Sequence, residues 1–216
     1  MNQLFAALQL FWSWFKVTFQ VLYGSWKIAK LSQPVVSIFG GSRFKEDNPY
    51  VAEAHDLAGR LMQNNISILT GGGNGIMKGA NCGAVKYAGG KAKSIGIGVR
   101  TLNEPRNNCV QEYFELDYFF ARKWLLTHYS QAFIIFPGGF GTLDELSEIL
   151  TLIQTKNLKP VPVILVGTEY WKGFTDWITA EIVSHKLLPE HHLKIFKVTD
   201  SLDEAFCLAV GVCKVK

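Results

Sequence analysis

The sequence lacks the features that mark nucleic-acid-binding tails, zinc fingers and disulfide scaffolds. No run of five like charges occurs, and 22 basic against 18 acidic residues leave a net charge of +4, so no nucleic-acid partner is expected. The four cysteines form no CxxC pair and have no histidines at zinc-finger spacing. They predict reduced thiols in a cytoplasmic protein rather than a metal site or a disulfide framework. The 216 residues are expected to bury a full core as one globular unit.

Charge is also scarce in the first 31 residues, where Lys16 is the only charged residue among the first 26. The length alone would allow a membrane span, but polar and apolar residues fall on separate helical stripes. The stripes are Gln9, Ser13, Lys16, Gln20 and Lys27, and Leu4, Leu8, Phe11, Phe15, Leu22 and Trp26. Features of a secretory signal are absent. The pattern favours a helix packed on the domain or on a partner subunit, with a surface-membrane helix and a true span as alternatives.

Beyond Pro34, short apolar runs alternate with longer amphipathic stretches. The runs are rich in β-branched residues, as buried parallel strands are, and read VVSIFGG, SILTGGG, SIGIGV, AFIIFPGG and VPVILVG. Helices are predicted over 48–64, 75–88, 120–130, 143–157 and 170–185, followed by IFKVTD at 195–200 and a last helix over 202–213. This alternation predicts an α/β fold, a Rossmann-like, mostly parallel sheet with helices on both faces. The chain then divides into an N-terminal helical extension, 1–33, and a Rossmann-like domain, 34–216.

Three glycine clusters follow predicted strands, and ligands of such sheets bind beyond the carboxyl ends of the strands. The clusters are Gly40 and Gly41 before Ser42, Gly71 to Gly73 with Gly75, and Gly138, Gly139 and Gly141 before Thr142. Glycine permits positive φ and close approach, and the helix that follows offers free N–H groups to an anion. One such cluster is typical of a tight turn, but three at one edge favour a phosphate ligand. We expect Ser42, Gly72, Gly73 and Gly138 to contact it.

The common phosphate-binding motifs do not fit these clusters. GGGNGIMKG has Ile76 where GxGxxG requires its third glycine, and GGKAKS does not match the P-loop pattern. The sequence therefore disfavours an ordinary dinucleotide site and an NTPase.

Three charged residues near the third cluster each allow two interpretations. Thr142 and Glu145 have the spacing of a capping box, so Glu145 could either cap a helix or act on a ligand. Arg122 and Lys123 begin a predicted helix, where cations are unfavourable. They are either solvated or bound to an anionic partner.

The combination resembles the Lonely-Guy family, phosphoribohydrolases often mislabelled as possible lysine decarboxylases. PGGFGTLDE at 137–145 is similar to the family signature PGGxGTxxE, with RK at 122–123 at the expected distance upstream. SIFGGSR, ILTGGGNGIMKGAN, YFFARK and DELSEILTLIQT match in order. The resemblance covers roughly residues 17 to 185 and looks closest to the longer bacterial branch with extra N-terminal helices. The first motif reads GGS where short members have GSS, and Asn74 replaces a proline common in long ones.

The resemblance implies hydrolysis of a nucleoside 5′-monophosphate, AMP or a cytokinin-type N6-substituted AMP, to free base and ribose 5-phosphate. It also implies a Rossmann-like fold, a homodimer or higher homo-oligomer, no metal or organic cofactor, and no need of a membrane. Its catalytic residues fall on Arg122 and Glu145, and its nucleotide-binding residues fall on Glu104, Lys123, Gly139, Phe140, Gly141, Thr142 and Thr151.

Two other functions can be weighed against hydrolysis. Amino-acid decarboxylation would need pyridoxal phosphate on a lysine with a partner for its ring nitrogen, and the sequence offers no such set. A non-catalytic module that holds AMP or a related phosphate ligand would use the same glycine-rich edge. The joint presence of Arg122 and Glu145 favours the enzyme.

Overall fold

The computed structural model describes residues 2–31, 34–102 and 104–211, and its centre is one seven-stranded sheet. The strands are β1 Val35–Phe39, β2 Ser67–Thr70, β3 Ser94–Val99, β4 Glu112–Leu116, β5 Ala132–Ile135, β6 Val163–Val166 and β7 Phe196–Thr199. Their order is β4-β3-β2-β1-β5-β6-β7, and every neighbouring pair is parallel. The predicted parallel α/β sheet is confirmed.

Seven α-helices pack on this sheet. They are α1 Asn2–Ala29, α2 Pro49–Gln63, α3 Ile76–Lys86, α4 Phe119–His128, α5 Phe140–Gln154, α6 Thr168–Trp177 and α7 Leu202–Ala209. Helices α2, α3 and α7 share one apolar core with the sheet, while α1, α4, α5 and α6 share a second core with its other face. This is the two-sided burial that the continuous apolar strands predict. The predicted end of the last helix, at 213, lies outside the described residues.

Most helices differ from their predicted bounds by one or two residues, and α6 ends at Trp177 rather than at 185, with a π-helical segment, Ile178–Val183, after it. Two further differences concern β4 and α5. Strand β4 was not predicted, because EYFEL contains two glutamates and no β-branched residue; it lies at the edge of the sheet, where charged side chains reach solvent. Helix α5 begins at Phe140 rather than at Leu143. Part of the glycine cluster is therefore the first turn of the helix.

Helix α1 contacts the domain through its polar stripe and through Val21, Gly24 and Ile28, which pack on the second core. Lys16 Nζ lies 2.6 Å from an Asp117 oxygen, Gln20 donates a 2.6 Å hydrogen bond to the same carboxylate, and Lys27 lies 3.6 Å from Glu112. The apolar stripe faces away from the domain, the reverse of an ordinary surface helix; the side chain of Leu4 lies outside its described part. Among the described residues no helix is long and apolar enough to cross a membrane.

The expectation of reduced thiols is wrong. Cys82, on α3, and Cys109, in the loop before β4, form a disulfide with a Cα–Cα distance of 4.8 Å. The two are 27 residues apart in sequence, and only the fold of the loop over α3 brings them together. Cysteine spacing alone could not reveal this pair.

Candidate active site

The three glycine clusters meet at the point where the strand order reverses, between β1 and β5. The N–H of Gly41 donates to the carbonyl of Pro137 at 2.9 Å, and the N–H of Ile76 donates to the carbonyl of Gly41 at 3.1 Å. The loops after β1, β2 and β5 are thus joined through one peptide segment. A crevice at this reversal is the usual ligand site of an open parallel sheet.

The loop Pro137–Gly141 and the first turn of α5 form a cradle for an anion. The N-cap residue of α5 is Gly139, and no side chain accepts a hydrogen bond from the start of the helix. The N–H groups of the first turn therefore remain free for a ligand. A Cβ on Gly139 or Gly141 would enter open space, whereas a Cβ on Gly138 would collide with Thr142. Gly139 and Gly141 therefore leave room for a ligand, and Gly138 allows the loop to pack closely against Thr142.

Positive φ, which the glycines were expected to provide, occurs instead in the loop after β2. Gly72 has φ +75° and Gly75 has φ +61°, a region that other residues rarely adopt. The two loops use glycine for different reasons.

A cavity of about 810 Å³ lies over the anion cradle. It is lined by Gly41, Ser42, Arg43, Phe44, Gly138, Gly139, Phe140, Gly141, Leu143 and Tyr170. Tyr170 donates a hydrogen bond of 2.5 Å to the carbonyl of Gly138, fixing the loop from the α6 side. Phe140, at 90% exposed, stands free at the cavity. The volume is within the range of small-ligand pockets.

Arg122 and Glu145 form a buried ion pair on the other side of the start of α5. Nη2 of Arg122 lies 3.2 Å from Oε1 of Glu145, and both side chains are at most 10% exposed. A Cβ on Gly71 would lie 2.5 Å from the same Nη2, so glycine is needed there to admit the guanidinium. Nε of Arg122 has no hydrogen-bond partner among the described residues. A buried donor without a partner is costly.

The ion pair decides between the two interpretations of Glu145. Its side chain turns toward Arg122 rather than back to the helix start, and α5 has no side-chain cap. The capping box is therefore not formed. Burial raises the pKa of Glu145 to about 7, although the Arg122 guanidinium favours the ionised form.

Lys123 is not solvated either. Its Nζ lies 3.0 Å from Asp144 and 2.6 Å from Glu148. Burial by itself would lower the pKa of Lys123, but the two carboxylates outweigh it and hold the pKa above its usual value. Lys123 thus joins α4 to α5 beside the Arg122–Glu145 pair.

Glu104 approaches the site from the loop after β3. Its carboxyl group would lie 2.7 Å from a Cβ on Gly73, and its charge contributes to the raised pKa of Glu145. Asn107, which sequence reasoning missed, ties this loop down: its Nδ2 donates to the carbonyls of Gly72 at 3.0 Å and Gly73 at 2.8 Å. Buried asparagine has no sequence signal that separates it from an exposed one.

Thr151 lies apart from the other predicted site residues in this chain. Its hydroxyl donates to the carbonyl of Ser147 at 2.7 Å, and it lines a separate cavity that includes Phe174 and Trp177. A role in nucleotide binding stays a prediction for Thr151.

Arg43 is a second residue that sequence reasoning did not assign. It lines the cavity over the cradle and forms no ion pair within the described parts of the chain, so its charge is available to a ligand. It follows Ser42 in SIFGGSR, and a cation two residues after a glycine pair was the signal that could have found it.

Comparisons with known proteins identify the family. A family model described as "Possible lysine decarboxylase" matches residues 77–208. The "Probable cytokinin riboside 5′-monophosphate phosphoribohydrolase" of Arabidopsis thaliana is 32% identical over 155 residues, 71% of this chain and 77% of that protein. A second Arabidopsis thaliana protein, "Cytokinin riboside 5′-monophosphate phosphoribohydrolase", is 35% identical over 138 residues, 62% of this chain and 63% of its own length.

The fold recurs in a solved structure with much lower sequence identity. The molybdenum cofactor binding protein of the phototrophic bacterium Rippkaea orientalis superposes with a TM-score of 0.59 at 21% identity, covering 83% of this chain and 97% of that protein. This likeness concerns the fold alone. The family model and the curated relatives together show that the chain belongs to the Lonely-Guy family, the family described as possible lysine decarboxylase.

Proposed function

We propose that this protein hydrolyses the N-glycosidic bond of a nucleoside 5′-monophosphate, AMP or an N6-substituted AMP, to free base and ribose 5-phosphate. The observation that carries the proposal is the buried Arg122–Glu145 pair beside an anion cradle that opens at the start of the same helix. The names of the curated relatives support a cytokinin-type monophosphate as substrate.

The cradle would bind the 5′-phosphate. Free N–H groups at the start of α5, the open space at Gly139 and Gly141, and the guanidinium of Arg43 together suit a dianion. Binding energy gained at the phosphate fixes the ribose, which is the part of the substrate that reacts.

Ionised Glu145 would act at C1′ of the ribose. Cleavage of the C1′–N9 bond develops positive charge on the sugar, which a nearby carboxylate stabilises. A pKa of about 7 also suits a base that takes a proton from the attacking water. The water oxygen then bonds to C1′, and the electrons of the broken bond leave with the base.

Arg122 would stabilise the departing base. Arginine does not give up a proton in proteins, so the base would receive the proton that Glu145 takes from the attacking water, relayed through a second water that is left unchanged.

The test is release of free base from AMP, N6-isopentenyl-AMP, adenosine and ATP, measured by chromatography. We expect base from the two monophosphates, with Glu145→Gln at least about 100-fold slower, as for loss of a general base. Asp144→Asn is the matched control, because Asp144 neighbours Glu145 but its side chain is 50% exposed. Tight AMP binding without base release from wild type would instead establish a non-catalytic nucleotide-binding module.

A further inference from the structure

Helix α1 carries a regular apolar stripe that its own domain leaves uncovered. Seven large residues, spaced alternately three and four apart, form what we call the α1 seam: Phe5, Leu8, Trp12, Phe15, Phe19, Leu22 and Trp26. Each is between 54% and 69% exposed. A repeat of 3.5 residues over three heptads is the pattern of a helix that packs along another helix.

The opposite side of α1 is already occupied. Lys16 and Gln20 bind Asp117, and Lys27 pairs with Glu112. Gly24 lies directly against the side chain of Leu125 on α4. Turning the seam toward the domain would break all of these contacts, so the seam faces outward.

The exposed area is that of a stable interface. With roughly 200 Å² for each aromatic side chain, the seam exposes about 800 Å² of apolar surface. A standard interface buries about 800 Å² on each partner. An apolar patch of this size is rare on a monomer and marks an interaction site.

The charge pattern favours a second copy over a lipid surface. A twofold interface places the same patch against itself, and the seam contains no charged residue that would repel its mate. A helix that lies on a bilayer instead uses lysines on its polar face to reach the headgroups. In α1, Lys16 and Lys27 are paired with carboxylates of their own domain.

We propose that α1 packs along α1 of a second copy of this chain through the seam, forming the interface of a homodimer or of a larger homo-oligomer.

Molar mass in solution tests this interface. The double variant Trp12→Glu with Phe19→Glu should have a lower mass than wild type by light scattering coupled to size-exclusion chromatography, half of it where wild type is a dimer. Its matched control is Leu10→Glu with Trp14→Glu, on the same helix and about 70% exposed but outside the seam; it should keep the wild-type mass. A seam variant with unchanged mass would overturn the proposal.

Cross-linking tests the contact without adding charge. Under oxidation Phe15→Cys should give a dimer band on a non-reducing gel, whereas wild type and Trp14→Cys should not. Equal cross-linking of the two variants would count against the seam. Monomeric wild type that sediments with phosphatidylcholine–phosphatidylglycerol vesicles would show that the occupant is a bilayer. Neither readout depends on base release, so this proposal and the proposed function can fail separately.

Discussion

The buried carboxyl of Glu145 predicts how the reaction depends on pH. Because burial raises its pKa to about 7, most of Glu145 is protonated at pH 6 and most is ionised at pH 8. If the ionised form acts at C1′, kcat/KM for AMP should rise with pH through about 7 and fall about tenfold per unit below it. Initial rates between pH 5.5 and 8.5 measure this.

The substrate titrates in the same region, so a control is needed. A phosphate monoester has a second pKa of about 6, which affects binding to the cradle. Glu145→Gln has no carboxyl group at this position, so its affinity for AMP over the same pH range reports the titration of the phosphate alone. A wild-type rate profile that merely follows this binding curve would remove Glu145 from the pH dependence.

Arg43 should contribute to phosphate binding. Its guanidinium lines the cavity over the cradle, and a hydrogen bond to a charged group contributes about 1.5–3 kcal/mol. Arg43→Ala should therefore weaken inhibition by ribose 5-phosphate roughly 10- to 100-fold. Lys45→Ala removes an equal charge two residues away and should have little effect. Equal losses of inhibitor affinity in the two variants would mean that Arg43 acts only through the overall electrostatic field of the protein.

Individual side chains show where the sequence was informative. The signature residues Arg122 and Glu145 were identified by motif, and the structure pairs them at 3.2 Å. The sequence left open whether Glu145 caps its helix, since both roles require the same spacing. Asn107 and Tyr170 could not be found, because their importance comes from contacts with backbone distant in sequence.

Among the connecting elements, the loop between β3 and β4 depends on Asn107. Asn107→Ala would leave the buried carbonyls of Gly72 and Gly73 without this partner, at a cost of about 1–3 kcal/mol in the free energy of unfolding. Urea denaturation measures the loss. Asn108→Ala, at an exposed neighbouring position, should change stability by less than about 0.5 kcal/mol. Comparable losses of stability in the two variants would show that the hydrogen bonds of the Asn107 side chain contribute no more than an exposed neighbour does.

The elements themselves were mostly predictable. Apolar runs located five of the seven strands, β1, β2, β3, β5 and β6, since strands buried on both faces are continuous in sequence. Edge strand β4 was missed because its residues, EYFEL, are only partly buried and do not form a continuous apolar run. Amphipathicity identified α1 as a helix but not which side meets the domain, because ion pairs to Asp117 and Glu112 hold its polar stripe inward.

At the scale of the whole molecule, the alternation of strands and helices was sufficient for the fold class. The strand order that places β1 beside β5 is what gathers the glycine clusters at one crevice, and this order follows from crossover rules rather than from any single motif. The Cys82–Cys109 disulfide shows the limit of this reasoning, since pairing of distant residues follows from the completed fold.

The peptide segment at Gly41 has a consequence for how substrate size affects the rate. Its N–H donates to the loop after β5 and its carbonyl accepts from the loop after β2, so the phosphate cradle and the glycine loop beside Arg122 are joined through this one segment. A nucleoside without phosphate would make no contact with the phosphate cradle. Under the proposed function, binding energy gained at the phosphate would then be spent at the scissile bond, and adenosine would lose turnover as well as affinity.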